Sequence, residues 1–459
     1  MAKTLKFLCL YLLLPVIFSL AMAGESGAAD IPRFGLFENQ ITNSKSYKNP
    51  FADVVLSGTF RSPSGKSVNV WGFYAGDGNG GNNGHIWKIR FMPDEYGAWT
   101  YNYSFSDSST VISGSFNCVA QGQKPGPWVQ DPNNRRWIMR ADGTHFMPIM
   151  VMGGFAIETD YKDQVEWCLA KGYNTILGGT FEGYVWVGGN TNTTAFQGTK
   201  TNMDYTRYNI GMWDLWDEAI QLFGENNIYV APFGGPNGEM GGQYDGKYPP
   251  DELVILPMFD ESAVSETNIR LIRYLIARQG AFWNLANWNV GGTEAYDMLE
   301  TKAKTTELVE FFASQTPWHR MISAADLEQW HDVNRRWISA ANIPIDRKLN
   351  YVQTAVGSSA YPHWGSSNKD NTIWQRTEIN NEFALDSYGG FPIMGTEALW
   401  ECQGRAQQPL SIIMGFFTAG AYTVWADWCY EDPANHRWGS LGRYWTPVWP
   451  LTEHLYSTK

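Results

Sequence analysis

From about residue 136 onward, short apolar runs and amphipathic stretches take turns along the chain. Arg136–Arg140 and His145–Met152 flank an Asp142-Gly143 turn and read as a hairpin leading into a first buried strand. Helix Gln164–Lys171 precedes strand Asn174–Leu177, and helix Met212–Phe223 precedes strand Ile228–Pro232. Helix Glu266–Arg278 leads to a strand ending near Val290, and helix Thr305–Ala313 leads to Met321–Ala324. Leu349–Thr354, Pro392–Met394 and Tyr422–Trp425 complete the series, the last two preceded by Trp374–Leu385 and Leu410–Thr418. Parallel strands need long crossovers, usually helical, so this alternation restricts the chain to a parallel sheet with helices on its faces. Eight strands in about 310 residues match the span of a closed (β/α)8 TIM barrel.

The preceding region is patterned differently. Asp53–Phe60 and Val68–Phe73 read as strands joined by the turn Pro63-Ser64-Gly65. His85–Phe91 alternates, and Pro93–Gly97 turns the chain into Trp99–Tyr103. Strands spaced about ten residues apart with Gly and Pro turns predict a β-sandwich over residues 32–119. The Gly76–Gly84 loop offers Asp77 and Asn79 as oxygen donors, but too few acids for a strong calcium site, and reads as a hairpin loop. Lys124–Pro127 reads as a linker, so the domains are expected at residues 32–119 and 136–459.

Residues 1–23 have the pattern of a secretory signal peptide. Lys3 and Lys6 precede an apolar stretch from Phe7 to about Leu20, and Ala21-Met22-Ala23 supplies small residues for cleavage. Cys9 lies within the apolar stretch, not at a lipidation position. No later segment is apolar for long enough to span a bilayer, so the expected location is secreted or periplasmic, without membrane attachment.

The formal net charge of −12 becomes more negative once Lys3 and Lys6 leave. With no run of basic residues, nucleic acid is excluded as a partner. Cys118, Cys168, Cys402 and Cys429 are too few and too scattered for a disulfide framework; Cys402 and Cys429 follow consecutive strands, but free buried thiols are expected. None of the 7 histidines has H-x-H or H-E-x-x-H spacing, so no metal or other cofactor is expected.

The chemistry resides in two glutamates. Glu294 ends W-N-V-G-G-T-E and Glu397 ends F-P-I-M-G-T-E, each after a short apolar run and a glycine-threonine turn. At the C-terminal mouth of a parallel barrel, where catalytic groups converge, paired carboxylates suit glycosidic-bond hydrolysis. One protonates the leaving oxygen; the other attacks or stabilises the anomeric carbon. Glutamates that merely begin helices are the plainer alternative. The 22 tryptophans add flat apolar faces suited to sugar rings. Most belong in the core, while Trp186, Trp364, Trp400, Trp425 and Trp428 fall in expected loops.

Phe34–Glu38, Asn49–Phe51, Gly72–Tyr74 and Trp87–Trp99 resemble the immunoglobulin-like domain of unknown function that precedes many polysaccharide-degrading barrels. Asp142-Gly143-x-x-Phe146, Ala277-Arg278-x-Gly280-Ala281, Trp288-x-x-Gly291-Gly292, Pro392-Ile393-Met394-x-x-Glu397 and Phe417–Ala421 are similar to the apiosidase-like family of (β/α)8 glycoside hydrolases related to clan A. The resemblance implies an acid/base after the fourth strand, Glu294, and a nucleophile after the seventh, Glu397. The family's carboxylate directly follows the two glycines; here Thr293 stands there and Glu294 comes next. Asp297 is the alternative acid, and Glu401 is an alternative nucleophile or an orienting group.

Strand ends place further candidates for substrate contact: Asn289, Glu182, Trp186, Trp400, Trp425 and Asp427. Glu431, Asn237, Glu239 and Asp326 lie in neighbouring loops. These observations predict a secreted retaining glycoside hydrolase acting on a plant or algal saccharide. A non-catalytic glycan-binding protein on the same barrel is the alternative.

Overall fold

The computed structural model describes residues 29–133, 138–146, 148, 150–152, 157–177, 195–199, 202–232, 266–289, 310–318, 320–323, 352–354, 393–395 and 422–423. Seven strands come first: β1 (Ala29–Pro32), β2 (Phe37–Thr42), β3 (Leu56–Arg61), β4 (Ser67–Tyr74), β5 (Ile86–Phe91), β6 (Gly97–Phe105) and β7 (Val111–Val119). They form one sheet in the order β1-β7-β6-β3-β4-β5-β2. Only the β1–β7 pair is parallel.

The sheet curls at β4, which pairs with β3 through Ser67–Trp71 and with β5 through Gly72–Tyr74. A Cβ on Gly72 would lie 2.8 Å from the Lys88 carbonyl and against buried Leu56, so this crossing requires glycine. The curl brings Phe60 of β3 onto Phe91 of β5, stacked at 4.2 Å, and Phe37 of β2 onto Phe116 of β7 at 4.9 Å. Alternate residues of β3, Leu56, Gly58 and Phe60, face this interior, as period-2 patterning requires.

The hairpin expected after residue 136 has a different partner. β8 (Trp128–Gln130) pairs antiparallel with β9 (Ile138–Arg140), while His145 makes a single bridge to Met139 across the Asp142-Gly143 turn. Nor is residues 124–127 a bare linker. Trp128 is fully buried against Phe146 and Tyr229, and the Tyr229 hydroxyl donates to the Gly126 carbonyl at 2.7 Å. A buried phenol needs an acceptor, and this backbone supplies it.

As far as Gln279 the remaining strands and helices alternate as expected. They are β10 (Met150–Met152), α1 (Ile157–Lys171), β11 (Thr175–Leu177), β12 (Phe196–Thr199), β13 (Asn202–Tyr208), α2 (Ile210–Glu225), β14 (Tyr229–Ala231) and α3 (Glu266–Gln279). Short strands β15 (Asn287–Asn289), β16 (Met321–Ser323), β17 (Val352–Thr354), β18 (Ile393–Gly395) and β19 (Tyr422–Thr423) follow. The expected helices Trp374–Leu385 and Leu410–Thr418, and most of Thr305–Ala313, lie outside the described residues. β10-β11-β14, β15-β16 and β17-β18-β19 are parallel groups, and a parallel bridge from Val230 to Leu285 links the first two. The antiparallel β12–β13 hairpin has no counterpart among the expected elements. Helix α2 is amphipathic, burying Trp213, Trp216, Ile220 and Phe223, which recur at i, i+3, i+7 and i+10 along one face.

The curled sheet is fastened to α2 and α3 by a buried ionic cluster. Arg90 of β5 donates to Asp217 of α2 and to the Arg278 carbonyl of α3 at 2.7 and 2.6 Å, and its Nε donates to Glu38 at 2.7 Å. Arg278 donates to Asp217 through Nε and Nη2 at 3.0 and 2.7 Å, and also to Asp214. Burial opposes both guanidinium charges, yet the surrounding carboxylates, Asp217 foremost, lift both above the usual arginine value. Nearby, the Tyr274 hydroxyl donates to the Tyr74 carbonyl at 3.1 Å, and the Trp318 indole donates to the Met92 carbonyl at 2.9 Å.

The Gly76–Gly84 loop joins the same junction. Asp77 Oδ1 accepts from the Asn79 and Gly81 amides at 2.8 and 2.9 Å, which hold its carboxyl below the usual value. Asn82 Oδ1 accepts from the Ile210 amide at 2.8 Å. Asn209, at the N-cap of α2, makes no side-chain cap, so the sheet's loop satisfies an amide the helix leaves open.

Cys118 and Cys168 are free and buried, as expected; burial pushes their thiols up to about 11 and about 12. Among the described residues no helix is long and apolar enough to cross a membrane.

Candidate active site at the strand ends

Within each parallel group the strands share one direction, and their registers make their C-terminal ends level. Met152 pairs with Leu177 and Leu177 with Ala231; Asn289 pairs with Ser323. Gly395 pairs with both Thr354 and Thr423. The segments leaving these rows carry the sequence-predicted residues: Glu182 after β11, Glu294 after β15, Glu397 after β18 and Trp425 after β19. Strand β18 lies between two parallel neighbours, which fixes the backbone just before Thr396 and Glu397 from both sides.

Of the predicted site residues, Asn289 falls within the described backbone, at the end of β15. Glu294, Glu397, Glu182, Trp186, Trp400, Glu401, Trp425 and Asp427 lie outside the described residues. So do Asp297, Glu431, Asn237, Glu239, Asp326, Trp364, Trp428, Cys402 and Cys429.

The support beneath β15 is a set of residues that sequence reasoning missed. Asn284 Nδ2 donates to the Ile220 and Ile228 carbonyls at 2.8 and 3.2 Å. The Val230 amide donates to the Asn284 carbonyl at 2.9 Å, and the Ala286 amide donates to the Val230 carbonyl at 2.8 Å. Arg320 is buried just before β16 and donates to the carbonyls of Gly280, Phe282 and Leu285, gathering the turn that enters β15. Burial pushes its guanidinium down to about 9. Its available signal was a cation directly before a buried strand, W-H-R-M-I-S (318–323).

The quoted Ala277-Arg278-x-Gly280-Ala281 motif is likewise scaffolding. Arg278 belongs to the ionic cluster, and a Cβ on Gly280 would meet the Trp318 ring at 2.7 Å. In Asp142-Gly143-x-x-Phe146, Asp142 Oδ1 accepts from the Thr144 amide at 2.9 Å while Phe146 packs on Tyr229 at 4.9 Å.

Among the described residues, no group of three or more His, Cys, Asp or Glu is placed to hold a metal.

Comparison with known proteins bears on the fold. Residues 30–106 match a domain of unknown function, DUF5060. A search of the curated proteins finds no match. A structure from Bacteroides vulgatus described as a candidate glycoside hydrolase is similar at 17% identity and a TM-score of 0.63, covering 87% of this chain and 72% of its own. The likeness is one of fold. A family 5 glycoside hydrolase from Bacteroides vulgatus matches at 15% identity and a TM-score of 0.43, covering 66% of this chain and 63% of that one. An endo-1,4-beta-mannanase from Rhizomucor miehei matches at 12% identity and a TM-score of 0.42, covering 67% and 89%.

Proposed function

We propose that this chain is a glycoside hydrolase whose parallel strands close into a (β/α)8 barrel, residues 136–459, behind an immunoglobulin-like support, residues 32–119. The observation that carries the reading is that Glu294 and Glu397 each follow the C-terminal end of a strand in a level parallel group, β15-β16 for the first and β17-β18-β19 for the second. The fold shared with the Bacteroides vulgatus candidate hydrolase supports it. The apiosidase-like resemblance refines it, since its motifs fall on β15 and β18.

In this reading Glu397 is the nucleophile and Glu294 the acid/base, and hydrolysis proceeds with retention. The two carboxyl groups then stand about 5–5.5 Å apart, against about 6.5–9.5 Å for inversion. Asn289, Glu182, Trp186, Trp400, Glu401, Trp425 and Asp427 contact the sugars. A leader over residues 1–23 sends the protein to the periplasm or beyond, where plant or algal polysaccharide is met.

The purified protein is tested on a polysaccharide panel, with product anomer followed by NMR. Glu397→Gln keeps the shape and removes the nucleophile, so turnover falls by orders of magnitude while folding survives; Glu401→Gln costs less. Full activity in Glu397→Gln overturns the assignment. The displacement of Glu294 by Thr293 favours one competing reading, a glycan-binding protein without turnover. That reading predicts binding on the panel with no product.

A further inference from the structure

Away from the strand ends, a cleft runs along the curled sheet, walled on its other side by α3 and by Ser314 and Gln315. One part, about 410 Å³, is lined by Phe51, Trp71, Tyr74, Glu266, Arg270 and Arg273 among others. The adjoining part, about 440 Å³, is lined by hydroxyl and amide side chains, including Thr59, Asn69, Asn102 and Gln315. Trp71 belongs to both parts and is half-buried.

The cations are the informative feature. Arg273 lies 4.6 Å over the Trp71 ring and donates through Nε to Gln315 at 3.0 Å. Arg270 lines the same cleft, one helical turn from Glu266, and its buried Nη1 has no hydrogen-bond partner among the described residues. Among the described residues, no carboxylate lies within ion-pairing distance of either guanidinium, although the chain carries a net charge of −12. A buried guanidinium N–H without an acceptor is costly, and a planar carboxylate answers it with two oxygens.

We propose that this cleft is a second carbohydrate site that takes an acidic oligosaccharide. A uronate carboxylate sits on Arg270 and Arg273, a sugar ring packs against Trp71, and further hydroxyls reach the amide-lined part. An aromatic surface flanked by amides and hydroxyls suits a pyranose, whose C–H face is apolar and whose rim is polar. The choice of a saccharide rests on the hydrolase reading; the site itself does not involve Glu294 or Glu397.

The test uses the full chain carrying Glu397→Gln, so that turnover does not interfere and a failure of the catalytic assignment is read separately by activity. Tetragalacturonate, tetramannuronate and methyl-esterified tetragalacturonate are titrated by calorimetry, and hydrogen exchange is followed by mass spectrometry. At least one acid tetramer binds tenfold or more tightly than the uncharged ester. Exchange slows in residues 67–74 and 266–276, and Arg270→Gln with Arg273→Gln weakens binding at least tenfold. Melting curves check that the variants fold, and the exchange map on the parent stands if they do not. Three results overturn the proposal: neither acid tetramer binds, the ester binds equally well, or slowing is confined to segments following β15 and β18.

Discussion

Replacing Asp217 with Asn probes the junction between the curled sheet and the helices. The carboxylate is 4% exposed and accepts three N–H bonds, from Arg90 Nη1 at 2.7 Å and from Arg278 Nε and Nη2 at 3.0 and 2.7 Å. Removing one partner of a buried ion pair costs about 3–5 kcal/mol, because the other charge stays buried. Here Glu38 and Asp214, each about a third exposed, still answer Arg90 and Arg278, which sets the expectation near the lower end. An unfolding entropy of about 2.1 cal/mol/K per residue over roughly 430 residues gives about 0.9 kcal/mol/K, so Tm falls by about 3–4 °C if the chain melts as one unit. Urea titration at pH 7 reads the free energy, and calorimetry reads the melting. Hydrogen exchange then shows whether β4, β5, α2 and α3 lose protection together. A loss under about 1 kcal/mol, or faster exchange confined to α2, refutes the view that this cluster joins the two parts.

Glu38→Gln tests the acid side of the same cluster. Burial opposes its charge, but Arg90 and Lys88 together hold the Glu38 carboxyl below 4.5. The folded state thus prefers the ionised form: its stabilisation is complete above the unfolded value, about 4.5, and disappears as pH falls through the lower folded value. Wild type should exceed Glu38→Gln in stability at pH 7, with the difference closing below pH 4.5 in parallel urea titrations. Gly72→Ala forces β4 away from the Lys88 carbonyl and should cost about 1–3 kcal/mol, measured as a lower urea midpoint. Asn82→Ala removes the acceptor for the Ile210 amide and should cost about 0.5–2 kcal/mol; Asn82→Asp, which keeps the acceptor, should recover most of it.

Local patterning was enough to find most elements. The period-2 runs with Gly and Pro turns correspond to β3 through β6, and the apolar runs alternating with amphipathic stretches correspond to the parallel strands, within a few residues. The strands that precede Glu294 and Glu397 were legible for the same reason: a strand end is visible in sequence as an apolar run stopped by Gly and Thr. Strand β7 was less legible, because in V-I-S-G-S-F-N-C-V the face opposite Ser113, Ser115 and Asn117 is thinned by Gly114, and the strand takes its place by pairing with β6 along its length. The β12–β13 hairpin was missed because F-Q-G-T and N-M-D-Y-T-R-Y have weak alternation; Phe196 is held by Tyr205 and Tyr208 across the pair.

Chain-distant contacts were decided only in three dimensions. Nothing local distinguishes Arg90, Asp217 and Arg278 from surface charges, and they become a cluster because β5, α2 and α3 meet with their apolar faces already buried. Asn82 becomes a helix cap, and Arg270 and Arg273 come to line an aromatic cleft, by the same docking. Strands and turns follow from steric and solvation preferences of neighbouring residues, which a sequence displays directly. The partner of a buried charge depends on which surfaces the folded chain brings together, and that is set by packing of the whole.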